Sequence, residues 1–405
     1  MAHARYANPF RPGAGHMPLY LAGREIEKEE FRRLLDQSAI LDNLVLTGLR
    51  GVGKTVLLDT LKPLAIADGW LWVGTDLTEA ASLSEENVVV RLLADLAVVT
   101  SGIEIARETI KKIGFQARGE RAAKTLTFDV MADLYAATPG LVSDKLKATL
   151  DFVWQCVRNH TDAKGIIFAY DEAQNLSDKS EKNEFPLSLV LDVFQSVQKR
   201  GMPLMLVLAG LPTLFPKLVE ARTFAERMFR VVFLDRLDEH DTREAIVKPI
   251  GHAPSGVRFT DDWIETITQE SGGYPYFIQF LCREAFDSAV QNRGAARKLA
   301  ASMRDITRKL DTDFFAGRWA RVTDRQRELL IVVAHLPDCD REFTPHDVVA
   351  KSKEMLAKPF RASNVSQMFA SLCDAGLMYR NRHGRYSFAI PLLGRFILRN
   401  AGLDA

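Results

Sequence analysis

A glycine-rich stretch near the start of the chain has the residues needed to hold phosphates. The pattern GxxxxGK(S/T) is matched in full by "GLRGVGKT", whose defining positions are Gly48, Gly53, Lys54 and Thr55. Glycines let backbone N–H groups turn inward around phosphate oxygens, and the following helix presents its positive N-terminus. Lys54 would reach the β- and γ-phosphates, and Thr55 would offer its hydroxyl to Mg²⁺. The other expected nucleotide contacts of this loop are Arg50, Gly51, Val52 and Val56.

Two adjacent acids supply the second part of this chemistry. Asp171 and Glu172 follow the apolar run "IIFAY". Asp171 would hold Mg²⁺ through a water, and Glu172 would orient and deprotonate an attacking water. A glycine turn with an exposed lysine, and two acids in an ordinary loop, are the alternatives. The strand–loop–helix pattern and the presence of both motifs favour a site that binds and hydrolyses ATP.

The elements that must position these residues alternate between strand and helix patterns. Apolar, β-rich runs occur at 43–48, 70–77, 164–174, 203–210 and 230–237. Continuous apolar runs are typical of strands buried on both faces, so we predict an α/β fold with a parallel sheet. The strand that ends at Asp171 is expected to lie beside the strand that carries the phosphate loop.

Changes in pattern divide the chain into segments. The predicted segments are a flexible Pro/Gly-rich arm (1–17), an ATPase core (18–237) with a helical insertion (101–160), a helical lid (238–317) and a winged-helix domain (318–405). The winged-helix prediction rests on three helical patterns followed by two strands around a His-Gly turn. The insertion includes a basic stretch at 107–124, either a solvated helix face or a contact to an acidic partner or nucleic acid.

Composition excludes several classes of protein. The chain has 405 residues, 47% apolar and 26% charged, with a net charge of +1, as in soluble globular proteins of two or three domains. Four scattered cysteines fit reduced thiols better than a disulfide frame or a zinc site. No apolar run is long enough to span a membrane, and the first residues lack a signal-peptide core. A cytoplasmic protein is expected.

The two motifs resemble those of the P-loop ATPases on the AAA+ and STAND side, especially origin-recognition initiators and compact archaeal-type ATPases. "PLYLAGREIEKEEF" (18–31) is similar to the segment of those families that lies against the adenine, which assigns this role to Gly23 and Arg24. "DEAQ" and "LAGLPTL" are also similar to transposition-helper and secretion ATPases. The resemblance implies an ASCE-type P-loop core followed by a lid and a winged helix, with ATP and Mg²⁺ as ligands.

The chain departs from the AAA+ pattern at two places. The fourth strand usually ends in a polar sensor residue, but Ala209 and Gly210 stand there, with Thr213 the only nearby substitute. Where AAA+ lids carry a sensor arginine, Gly273-Tyr274-Pro275 resembles the GxP motif of STAND switches, which assigns Pro275 a place near the nucleotide. A simple helix start with proline at its first position is the alternative.

Arginines precede the predicted fifth strand, where oligomeric AAA+ proteins present an arginine to the neighbouring subunit's γ-phosphate. Arg227 and Arg230 are the first candidates for this role, and Arg222 is the next candidate. This role implies a homo-oligomer. A surface helix with solvated arginines is the alternative.

The C-terminal segment is basic. Residues 318–405 include 14 Lys and Arg against 9 Asp and Glu. Candidate contacts to double-stranded DNA are Arg361, Arg380, Arg382 and Arg385. A lid that packs on the ATPase core, as in STAND switches, is the alternative. The core predicted for this segment consists of Leu329, Leu330, Val333, Val348, Val365, Phe369, Leu372 and Leu377.

Together these features predict an ATPase that binds ATP, hydrolyses it slowly, and uses its nucleotide state to control DNA association or oligomerisation. The second hypothesis is a STAND-type switch that acts on a separate effector or sensor protein. A third is a nucleotide-binding scaffold with negligible turnover, and the intact Asp171-Glu172 pair counts against it.

Overall fold

The computed structural model describes residues 7–105, 124–252, 257–292, 299–382 and 384–402. The chain forms two compact units. The sheet unit consists of Glu25–Thr47 and Lys54–Phe233, and the helical unit consists of Met1–Arg24, Gly48–Gly53 and Leu234–Ala405. Of the basic stretch predicted at 107–124, only Lys124 lies within the described residues.

The sheet unit alternates strands with helices, as the sequence predicts. Its larger elements are α1 (Glu25–Leu35), β1 (Asn43–Thr47), α2 (Lys54–Ala67), β2 (Trp70–Val73), α3 (Glu85–Thr100), β3 (Glu104–Ile105), β4 (Lys124–Thr125), α4 (Phe128–Ala137), α5 (Val142–His160), β5 (Gly165–Tyr170), α6 (Pro186–Lys199), β6 (Leu204–Gly210), α7 (Leu214–Ala221), α8 (Ala225–Met228) and β7 (Phe229–Phe233). A 3₁₀ turn, Ala173–Asn175, follows β5.

Five strands form a parallel sheet in the order β2-β5-β6-β1-β7. The α/β fold with a parallel sheet is therefore confirmed. The expectation that the Asp171 strand neighbours the phosphate-loop strand is wrong, because β6 lies between β5 and β1. Both strands end at the same edge, since parallel strands run in one direction. Thr55 and Asp171, which both belong to the sheet unit, are therefore brought together despite the intervening strand.

Burial explains why these runs form the middle of the sheet. Every residue of β1, β5 and β6 is buried, whereas the outer strand β7 is partly exposed. A strand that is covered on both faces needs apolar residues at every position, which is the pattern that the sequence shows. Phe168 on β5 and Phe194 on α6 pack edge to face in this core, with ring centroids 5.0 Å apart.

The helical unit begins with α9 (Glu239–His252). It continues with α10 (Asp261–Ser271), α11 (Pro275–Asn292), α12 (Leu299–Leu310), a π-helical segment (Asp311–Ala316), α13 (Gly317–Trp319), α14 (Asp324–Ala334), α15 (Pro345–Met355), α16 (Ala362–Asp374), β8 (Met378–Arg382), β9 (Arg385–Phe388) and α17 (Leu393–Asn400). The three-residue α13 directly continues the π-helical segment.

Near the C-terminus, α14, α15 and α16 are followed by the antiparallel pair β8 and β9. Thr323 and Thr344 cap α14 and α15 in reciprocal capping boxes, as threonine does at helix starts. All eight residues predicted for this core are buried. The order of elements matches the prediction, and the assignment of a winged helix remains a prediction.

The part of the N-terminal arm that the structure describes is attached to α11. The Asn8 side chain donates hydrogen bonds to the Arg283 carbonyl (3.0 Å) and to Asp287 Oδ1 (2.8 Å). Phe10 is buried and stacks on Phe259. Among the described residues, no helix is both long and apolar enough to cross a membrane.

We expect Phe194→Ala to lower the free energy of unfolding of the sheet unit by about 3–5 kcal/mol, because it replaces a fully buried ring with a cavity. Urea denaturation followed by circular dichroism measures this change. Ile26→Ala is the control, since Ile26 is 79% exposed on α1, and it should cost less than about 0.5 kcal/mol. Equal losses in the two variants would contradict the place of Phe194 in the core.

Candidate functional site

The edge of the sheet brings together the hydroxyl and the carboxylate that the sequence assigns to Mg²⁺. Thr55 lies in the first turn of α2, and its Oγ1 donates a hydrogen bond to Asp171 Oδ2. Asp171 is buried, and its Oδ1 accepts a hydrogen bond from the Glu172 backbone N–H (2.7 Å). Lys54 begins the same helix and is also buried.

A second acid lies near Asp171. Burial raises the pKa of Asp59, and the carboxylates of Asp171 and Asp76 raise it further, against the opposing charge of Lys62. Asp59, Asp76 and Asp171 therefore form a group of interacting carboxylates, and their negative charge suits a cation. Mg²⁺ in nucleotide sites is held by one or two protein oxygens together with phosphates and waters. The Thr55 hydroxyl and Asp171 carboxylate fit that donor set.

Glu172 has an unusual backbone conformation. Its φ is 51° and its ψ is 31°, in the left-handed region that residues with a side chain rarely adopt. This conformation ends β5 abruptly and starts the 3₁₀ turn Ala173–Asn175. Such a conformation costs free energy, and strained residues of this kind occur most often at functional sites. Its occurrence at Glu172, the acid expected to act on water, agrees with a functional role.

Gln174 connects Glu172 to the next strand. Its Nε2 donates a hydrogen bond to Glu172 Oε2, and its Oε1 accepts one from the Leu211 backbone N–H at 3.1 Å. The Gln174 carbonyl accepts a third from Lys217 Nζ at 2.7 Å. Burial lowers the pKa of Lys217. The turn after β5 is therefore joined to residues at and after the end of β6.

The glycine loop Gly48–Gly53 belongs to the helical unit, and its conformation requires glycine at two positions. Gly51 and Gly53 have φ of 78° and 97°, which side chains disfavour. A Cβ on Gly48 would also lie 2.5 Å from the Leu234 carbonyl oxygen. The backbone thus adopts a turn that the sequence pattern predicts for phosphate binding.

Arg24, expected beside the adenine, is bound to the backbone around this loop. It is 5% exposed, and its Nη2 donates to the carbonyl oxygens of Val52 (3.1 Å) and Asp235 (2.8 Å). The neighbouring Gly23 has a φ of 61°, and a Cβ there would lie 2.2 Å from Asp241 Oδ2. The Arg24 side chain therefore connects the end of the glycine loop, at Val52, to the backbone at Asp235.

Pro275 is the first residue of α11, which is the helix start weighed as the alternative. The residue after it makes the contact to the loop. The Tyr276 backbone N–H donates to the Gly51 carbonyl at 3.1 Å, and a Cβ on Gly51 would lie 3.0 Å from Tyr276 Cβ. The Tyr276 ring packs on Phe314 in the π-helical segment, with centroids 5.0 Å apart.

Arg50 of the loop lies near basic and backbone groups of the same unit. A Cβ on Gly376 would be 3.6 Å from Arg50 Nη1. The pKa of Arg318 is lowered by burial and then by the charges of Arg50 and Arg321. The charges of Arg50 and Arg321 near Arg318 form a positive region that suits an anion.

The candidate arginine fingers differ in their partners. Arg230 on β7 forms an ion pair with Glu30 at 3.0 Å, and Arg222 binds Asp192 at 2.8 and 2.7 Å. Arg227 on α8 is exposed, and no ion pair to it occurs among the described residues. The role of Arg227 or Arg230 toward a neighbouring subunit stays a prediction.

The candidate DNA contacts lie on α16 and the hairpin. Arg361 is the exposed N-cap residue of α16, Arg380 lies on β8, and Arg385 is exposed on β9. The backbone of Arg382 pairs with Arg385, and its side chain lies outside the described ones.

Sequence reasoning missed Gln174, Tyr276 and Arg318. Gln174 stands in the "DEAQ" stretch, so its position beside the acids was a usable signal. Tyr276 and Arg318 contact or approach the loop only through tertiary packing, and no local pattern in the sequence marks them.

The fold of the chain is similar to those of solved archaeal structures, a Walker-type ATPase and an origin-recognition protein. A Walker-type ATPase of Pyrococcus abyssi is similar, with a TM-score of 0.58 and 14% identity over 93% of this chain and 96% of that chain. The ADP form of the Aeropyrum pernix ORC2 protein gives a TM-score of 0.55 and 13% identity over 97% and 98% of the two chains. At these identities the likeness shows the fold alone.

Sequence comparison adds one partial match. A protein-family profile described as a domain of unknown function (DUF8462) matches residues 312–397. Among curated proteins, none matches this chain. The matched range begins inside the π-helical segment and includes all of α14, α15, α16, β8 and β9.

The strain at Glu172 leads to a stability prediction. Glu172→Gly and Glu172→Ala both remove the carboxylate and its bond to Gln174, so they differ only in backbone preference. We expect the glycine variant to be more stable by about 1 kcal/mol, because glycine adopts a left-handed conformation at little cost. Thermal and urea unfolding of the two variants measure the difference. An alanine variant that is equally or more stable would contradict the left-handed backbone.

Proposed function

We propose that this chain binds ATP at "GLRGVGKT" and hydrolyses it slowly. The observation that carries the proposal is the hydrogen bond between the Thr55 hydroxyl and the buried Asp171 carboxylate, with Glu172 next in the chain. This pairing of a hydroxyl after the glycine loop with an acid after a parallel strand is the arrangement that P-loop ATPases use for Mg²⁺.

The side chains have separate roles in this reaction. Lys54 binds the β- and γ-phosphates. Thr55, and Asp171 through a water, would hold Mg²⁺, which would supply charge stabilisation at the phosphates. Glu172 accepts a proton from a water whose oxygen forms a bond to the γ-phosphorus. The bond from that phosphorus to the β–γ bridging oxygen breaks, and ADP and phosphate are the products.

Loss of the lysine charge should remove nucleotide binding. We expect Lys54→Ala to weaken ATP binding by at least about 100-fold, because the phosphates lose a buried cationic partner. Titration with a fluorescent ATP analogue measures the affinity. Lys62→Ala, on the same helix, is the control and should bind normally. Normal binding by Lys54→Ala would overturn the assignment of the site.

We further propose that the nucleotide state controls DNA association or oligomerisation. The basic residues Arg361, Arg380 and Arg385 support a duplex DNA contact, since basic side chains on a helix start and a hairpin suit phosphates. The exposed Arg227 supports a contact to the γ-phosphate of a neighbouring subunit.

A second candidate is a switch that acts on a separate protein. The hydrogen bond from the Tyr276 N–H to the Gly51 carbonyl favours it, because the phosphate loop and the start of α11 are directly joined. Nucleotide bound by the loop would then bias the helices around it. The same bond is compatible with DNA control, so the choice between the candidates depends on the partner.

The ATPase rate with and without duplex DNA, over a range of protein concentrations, separates these candidates. We expect the rate to rise several-fold with DNA, and Arg380→Glu with Arg385→Glu to remove the stimulation at low salt. Lys353→Glu, an exposed lysine on α15, is the control. A slow rate that DNA does not change, with retained ADP, supports the protein switch. ATP binding without turnover would leave the scaffold hypothesis.

A further inference from the structure

We propose that Gln174 is a positioning residue for Glu172 and occupies the place of the polar sensor that β6 lacks. The inference rests on the proposed hydrolysis, and it concerns residues of the sheet unit alone. The Gln174 side chain joins the Glu172 carboxylate to the Leu211 backbone N–H, one residue beyond the end of β6.

The orientation of this amide is determined by its partners. A backbone N–H can only donate, so the atom that receives the Leu211 bond is the oxygen Oε1. The Nε2 atom must therefore face Glu172, whose carboxylate accepts its hydrogen bond. Each end of the amide has the partner it requires, which holds the carboxylate in one direction relative to β6.

Gly210 explains how the amide reaches the strand. A Cβ at this position would lie 2.7 Å from Gln174 Oε1, closer than such atoms approach in proteins. A side chain at the end of β6 would therefore displace the Gln174 amide from its observed position, and its Cβ would also lie 2.8 Å from Leu214 Cδ2. The glycine that departs from the AAA+ pattern is the residue that makes room for this amide.

The turn Ala173–Asn175 is also held by hydrogen bonds that do not involve the Gln174 side chain. The effect of that side chain can therefore be measured apart from the stability of the turn. Lys217 Nζ binds the Gln174 carbonyl, and Asn175 Nδ2 donates to the Leu77 carbonyl at 2.7 Å. Both bonds remain when the Gln174 side chain is removed. Truncation should therefore release the Glu172 carboxylate while the turn stays in place.

The test measures steady-state ATP hydrolysis by the full chain and by Gln174→Ala. We expect kcat to fall about tenfold with KM for ATP within about twofold, because the carboxylate loses its orientation while the phosphate contacts remain. A loss of general structure would raise KM and lower the unfolding temperature as well. Gln155→Ala is the matched control, since Gln155 is an exposed glutamine on α5 that donates to Asp151 at 2.7 Å. It should keep the full rate.

A double-mutant cycle tests the link to β6. Gly210→Ala should lower kcat to a similar degree by displacing the amide. Most of this loss should be absent in the Gln174→Ala chain, where no amide remains and the Cβ meets only the Leu214 side chain. Losses that multiply would show that Gly210 acts independently and would overturn the link.

The outcomes also separate this inference from the proposal beneath it. Full turnover by Gln174→Ala, in an experiment where the unaltered chain hydrolyses ATP and Glu172→Gln does not, would overturn the inference alone. An unaltered chain that binds ATP without turnover would overturn the proposed hydrolysis and this inference with it.

Discussion

Burial of the central strands on both faces is the constraint on which the candidate site depends. Strands β1, β5 and β6 have no exposed residue, so their polar chemistry is confined to the loops beyond their ends. Parallel direction then collects those loops at one edge of the sheet. The Thr55–Asp171 hydrogen bond forms there because two distant parts of the chain enter the same edge.

Sequence patterns predicted the local features well. Short-range spacing predicted the glycine loop and the acids after β5. Apolar periodicity predicted the eight core residues near the C-terminus, because each buried position requires an apolar side chain. The position of β6 between β1 and β5 was missed, because strand order depends on crossover connections that leave no mark on a single run of residues. The place of Arg24 beside the adenine rests on the resemblance and stays a prediction. Its hydrogen bonds to the Val52 and Asp235 carbonyls could not be predicted, because only the folded chain brings those carbonyls near.

Two glycines near the candidate site, Gly210 and Gly51, have the same physical role. At Gly210 a missing side chain makes room for the Gln174 amide, and at Gly51 it admits the close approach of Tyr276. In both cases the absence of a Cβ allows a group from another element to approach the backbone closely. A glycine that looks like a lost functional residue in the sequence can therefore mark a contact supplied from elsewhere.

The bond between the Gly51 carbonyl and the Tyr276 N–H has a thermodynamic consequence. If a ligand at the loop favours or disfavours this bond, any event that shifts the first turn of α11 must alter ligand affinity by the same free energy, since linkage is reciprocal. The aromatic contacts continue from Tyr276 through Phe314 and Phe315 to Phe396 on α17. If a displacement of α17 moved these rings and, with them, the Tyr276 N–H, it would change the dissociation constant of a ligand at the loop.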